Sequence, residues 1–259
     1  MKSLLHGRYM AAVLVGIGWA AVAAPGAEPV TLPAAAGTVV DAIRKAAEDN
    51  ARLPAGMRKK GDELAEHYFR RAASAADQLP RETAARAYLI GLAVGLDDSN
   101  ALVENRLLGR MLVGIESPEA RGRRVAALGG PTLRGRNDLA KHFAVSAGLA
   151  AMSSPEAAEA AGVFKEVRDS QGGSGFSFAD YAADLAGISF AEQVIDGRLK
   201  LDELGQRFVV GRFMPSVDDL PEELAQTAFL NQYGSPEDER FRRLREAIRK
   251  RITDLAPAD

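Results

Sequence analysis

An all-α fold, a multi-helix bundle with a central three-helix layer, is what this 259-residue chain predicts, and three observations carry the prediction. Apolar residues recur at three- and four-residue steps, as amphipathic helices require. Ser-Pro-Glu triplets supply a hydroxyl N-cap, a proline at the first helical position and an acid in the first turn, and they occur at Ser117-Pro118-Glu119, Ser154-Pro155-Glu156 and Ser235-Pro236-Glu237. The strongest breakers, Gly129-Gly130-Pro131 and Gly172-Gly173-Ser174-Gly175, are not flanked by the alternating apolar runs of strands.

The elements follow in order. Residues 1–23 read as a secretory signal peptide: Lys2 and Arg8 form a positive start, Met10 to Ala20 an apolar core containing Trp19, and Ala21-Val22-Ala23 a cleavage signal. The uncharged stretch is shorter than the roughly 20 residues of a spanning helix. The expected product is a periplasmic or secreted protein, residues 24–259, with one helical domain and no transmembrane helix. A first helix spans 34–51, with Val39, Val40, Ile43 and Ala47 on one face; others run over 58–78 and 81–96. The loop at 129–136 is the most plausible internal seam. The basic residues Arg121, Arg123, Arg124, Arg134 and Arg136 around it read first as a solvated polar face and second as an anion-binding surface. At the carboxy end, Phe241, Leu244, Ile248, Ile252 and Leu255 form one apolar stripe among arginines. That helix either docks on the body or lies on an envelope anion such as anionic lipid or cell-wall polymer.

Composition excludes several classes. Lys+Arg 33 against Asp+Glu 35 leaves a net charge of -2, so no overall basic field draws the chain to nucleic acid. Zero cysteines remove disulfides, thiolate metal sites, cysteine nucleophiles and a lipid-bearing cysteine. There is no His-Glu-x-x-His pattern, His67 being the tail of a charged stretch, and no Walker or dinucleotide fingerprint. Ala144-Val145-Ser146-Ala147-Gly148 departs from G-x-S-x-G at its first position and lies inside a helix.

The chemistry concentrates in residues 137–191. His142 lies eleven positions before Ser153, and Glu166 twelve after Ser154. In an antiparallel hairpin about that turn, both sit roughly 17 to 18 Å from it, at one level. Ser177 as N-cap with Asp180 three residues on matches an acidic capping box, which starts the third helix of the layer and adds Asp184 one turn later. Asp169 shares the face of Glu166, while Lys141, Lys165 and Arg168 offset some of the negative charge. An imidazole among carboxylates suits proton transfer, with His142 and Glu166 as the catalytic pair. It also suits a divalent metal held by His142, Glu166, Asp169 and Asp180. Equally, the set reads as a buried network that fixes helix register. Gly173, Ser174 and Gly175 form either an anion cradle or a plain helix connection.

The succession Lys141-His142-Phe143 with Ser146-Ala147, Lys165-Glu166 with Asp169, then Gly173-Ser174-Gly175-Phe176-Ser177 with Asp180, Asp184 and Gly187 resembles the YfiM-type family of bacterial lipoproteins. It is distantly similar to the VanZ-like family. The resemblance covers residues 137–191 and implies an envelope location and a small helical module, with no established reaction. This chain departs from it in lacking the lipid-bearing cysteine, so it resembles a freely exported relative. Phe176, Phe178 and Tyr181 stand where that family has tryptophans, and Ala140 stands where an acid precedes the lysine, with Asp138 three residues before it. Two functions are therefore expected: a non-enzymatic structural or binding module of the envelope, or a metal-assisted or acid/base hydrolase acting on an envelope component.

Overall fold

Each helix begins where the chain supplies a start. In the computed structural model, which describes residues 30–99, 102, 109, 112 and 114–255, helix α1 (Leu32–Arg52) is capped by Thr31, whose hydroxyl accepts from the Ala34 amide. The expected signal peptide lies outside the described residues. Helix α2 (Gly61–Ala76) is shorter than the expected 58–78, because Asn50 bonds both backbone groups of Lys59 and holds the chain extended there. Helix α3 (Arg81–Leu96) has the expected bounds. Helices α4 (Pro118–Ala127) and α6 (Pro155–Asp169) start at their Ser-Pro-Glu caps, Ser117 and Ser154 each accepting a backbone amide. Between them runs α5 (Asn137–Met152).

Helix α7 (Phe178–Ile195) follows, then the short α8 (Leu201–Arg207) and α9 (Gln226–Tyr233), and finally α10 (Glu239–Leu255). The third Ser-Pro-Glu triplet does not start a helix. Ser235 turns the chain by accepting from the Glu237 amide, and α10 opens only after Asp238, whose carboxylate accepts from the Arg240 amide at 2.9 Å. No strand occurs among the described residues, which contain only two isolated bridges. None of their helices is long and apolar enough to cross a membrane.

Helices α1, α3, α5 and α7 lie side by side in that order, with α6 packed on both α5 and α7 to complete the three-helix layer. Close approach of α5 and α7 is set by Gly187, where a Cβ would stand 2.1 Å from the Phe143 carbonyl oxygen. That contact fixes α7 against the face of α5 that carries His142. Phe69, Phe143, Phe190 and Phe208 fill the core beneath. Helix α10 docks: Phe241, Ile248 and Ile252 are buried, and each such side chain contributes about 1.5 to 3 kcal/mol. Its arginines are drawn into ion pairs, Arg249 with Glu159 and Arg251 with Asp219.

The basic region before α5 is a solvated face only in part: Arg123 and Arg134 are exposed, while Arg124 is not. Arg124 is fully buried, pairs with Glu116 at 2.8 Å and donates to the carbonyls of Gly95 and Asp97 at the end of α3. Arg121 donates to the Ser99 carbonyl, and Arg134 to that of Met214. These guanidiniums satisfy backbone carbonyls left free at element ends, a role that clustering in sequence does not distinguish from an anion site.

Candidate functional site

The layer brings the expected residues to one level. Helix α5 presents His142, α6 presents Glu166, and the first turn of α7 presents Asp180; one donor atom from each lies within 4.8 Å of the others. Behind the imidazole, Nδ1 meets Asp184 Oδ1 at 3.1 Å, and Ser146 Oγ donates to the same oxygen at 2.7 Å. Ser146 thus orients Asp184 and has no geometry for nucleophilic attack. On the other side of the ring, Nε2 faces Asp180 Oδ2 at 3.4 Å.

The capping expectation at Ser177 is half met, and its unmet half shapes the site. Ser177 Oγ accepts the Asp180 amide at 3.0 Å, but the reciprocal bond comes from Glu166, whose Oε2 accepts the Ser177 amide at 3.0 Å. Asp180 is therefore released from capping and turns toward His142 and, at 3.5 Å, toward Arg136.

Other expected members stand apart. Asp169 pairs with Lys165 at 2.8 Å and is not in the three-residue group. Lys165 also touches Glu166 at 2.8 Å, so it is the one lysine that offsets the site's charge. Lys141 turns away to Asp98, Asp138 is taken by Arg136, and Arg168 is exposed. The Gly173-Ser174-Gly175 loop is a connection: the Gly173 and Gly175 amides both donate to the Asp169 carbonyl, closing α6. Gly175 has φ +89° and lies against the Glu223 backbone, where a Cβ would stand 2.4 Å from the carbonyl carbon.

Electrostatics separate the chemistries. Burial works against charge on His142, but Asp184 and then Asp180 outweigh it and raise the imidazole to about 9. Without a metal the imidazole therefore holds its proton at neutral pH, and an ion bound at Nε2 would displace that proton. Burial pushes the Glu166 carboxyl up against the opposing Lys165, and burial likewise pushes Asp180 up against the opposing His142. Glu166 is 1% exposed, beyond the reach of a bulky substrate. One oxygen each of Asp180 and Asp184 is buried without a hydrogen-bond partner.

Sequence reasoning missed two contributors. Arg136 reads in the sequence as part of a basic surface, yet it reaches Asp180 and Glu222. Gly162, where a Cβ would stand 2.7 Å from Asp184 Oδ2, lets α6 settle over that carboxylate. Its signal was a helix-interior glycine one turn before Glu166.

A histidine and two carboxylates fit a divalent transition metal: imidazole favours zinc, the carboxylates also suit manganese, and calcium takes oxygen ligands alone. The carboxylate on the remote ring nitrogen, itself held by a hydroxyl, is the outer support that metal-ligating histidines have. No family model, curated protein or solved structure matches the chain.

Proposed function

We propose that the protein is an exported envelope module that binds a divalent transition-metal ion through His142, Glu166 and Asp180, with Asp184 and Ser146 orienting the histidine. The observation that carries this reading is the convergence of three donor atoms from three helices within 4.8 Å, with Asp184 on the far ring nitrogen. The burial of Glu166 and Asp184 supports it, since carboxylates withdrawn from water call for a cation nearby. Asp169, at first a fourth candidate ligand, is left to its Lys165 pair in this reading. Export rests on the sequence of residues 1–23 and on the YfiM-type resemblance of residues 137–191. Anionic lipid or cell-wall polymer remains the proposed partner class, and the apolar stripe of α10, buried against the body, does not contact it.

The hydrolase reading is second, and one feature favours it. Three protein ligands leave a coordination position at which a metal-bound water would be activated, as in catalytic zinc sites. Titrating the chelated protein with Zn²⁺ or Mn²⁺ separates the metal site from a structural network. At about 100-fold excess over Kd, binding to the folded state alone raises stability by about 2.7 kcal/mol. The gain is expected in the wild type and absent in Asp180→Asn. An unchanged wild-type melting curve would overturn the proposal.

A further inference from the structure

Helix α6 holds to the body by a thin seam. Of its 15 residues only Ala158, Gly162 and Glu166 are buried, against 13 of 18 in α7. Val163 and Val167 add partly buried apolar contact, but Ala158 and Gly162 bring little apolar area and Phe164, the largest apolar side chain of α6, is 64% exposed. Docking also has an electrostatic cost: it takes the Glu166 carboxylate out of water and lays Gly162 over the unpartnered Asp184 Oδ2.

The two ends of α6 are tied differently. In the amino-terminal half, Glu159 accepts from the Tyr181 hydroxyl at 2.7 Å and from Arg249 at 2.5 Å, bonds to α7 and α10 that need no ion. The carboxy-terminal half is tied through Glu166 and, at its end, by the Gln226 amide on the Ser170 carbonyl; in the loop that follows, Gly172 has positive φ and open space around it. Lifting that half would rehydrate Glu166 and Asp184 at the cost of the Ser177 amide bond to Glu166 and the partial packing of Val163 and Val167.

We infer that a divalent cation is a clasp that closes the carboxy-terminal half of α6 onto α5 and α7, and that its removal frees this half. The inference rests on the cation-site reading above. Glu166 is the only one of the three donors that α6 supplies, so an ion shared with His142 and Asp180 binds the docked helix in preference to the lifted one. Cation level then governs exposure of Asp184 and the helix faces beneath α6.

Hydrogen exchange resolved by peptide tests this on the whole purified protein, with EDTA, Zn²⁺ or Mn²⁺, while calorimetry records stoichiometry. At about 100-fold excess over Kd, amides of residues 162–169 are expected to exchange about 100-fold more slowly than in EDTA, the limit set by linkage if only the docked state binds. Amides of α3, remote from the site, are expected to be unchanged. Glu166→Gln, checked for native helix content, and Asp180→Asn are each expected to abolish the slowing. Stoichiometric binding without slowing at 162–169 would overturn the clasp and leave the metal site standing. Absence of binding would overturn both.

Discussion

His142 carries a charge that the surrounding aspartates maintain, and pH reads that charge directly. Its folded value of about 9 lies above the ordinary 6.5, so its contribution is fully present below about pH 6.5 and is lost as pH rises through 9. A shift of this size corresponds to about 3 kcal/mol. In the chelated protein, the stability difference between wild type and His142→Ala is therefore expected to shrink by about that amount between pH 6 and pH 10, read by urea melts. Glu166 and Asp180, both raised, push in the same direction, since ionising them in place is disfavoured. At Glu166 itself, Glu166→Gln keeps an acceptor for the Ser177 amide and removes the buried charge. It is expected to leave the melting temperature of the chelated protein unchanged or higher. A loss of about 3 to 5 kcal/mol would instead identify Glu166 and Lys165 as a structural pair. Residue types and spacing made the level of this site legible. The facing angles were not, which is why Lys141 and Asp169 turned out to point elsewhere.

Helix starts were legible where the cap is local and illegible where another contact intervenes. Thr31, Ser117 and Ser154 act through their own following turns. The start of α2 is set instead by Asn50, nine residues before Lys59, which periodicity does not report. At α10 the Ser-Pro-Glu pattern is present, yet Gly234 with φ +71° and the Ser235 turn delay the helix until Asp238 takes the N-terminal position. Asp238→Ala is therefore expected to destabilise α10 and lower its helix content on heating. Ser235→Ala is expected to act less on helix content, and circular dichroism of both variants during thermal unfolding checks the order. The short α8 and α9 escaped the sequence because each spans too few residues to display a period.

At the scale of the molecule, the all-α class followed from periodicity and caps because helical order is mostly local. Three-dimensional roles of the charges did not. Arg124 looked like part of a solvated basic run, and it is buried beside Glu116, joining α4 to the end of α3. Glu116→Ala leaves that guanidinium buried without its carboxylate and is expected to cost about 3 to 5 kcal/mol, measured by chemical unfolding. A cost under about 1 kcal/mol would show that the two carbonyls alone satisfy it.

The central claim is that three helices converge to hold a cation, and the metal content of the whole protein purified without chelator tests it most directly. The account predicts one divalent transition-metal ion per chain, lost in both His142→Ala and Asp180→Asn while both retain native helix content. A metal-free wild type that also fails to take up added Zn²⁺ or Mn²⁺ would contradict it, and would leave His142, Glu166, Asp180 and Asp184 as a network that only holds the helices in register.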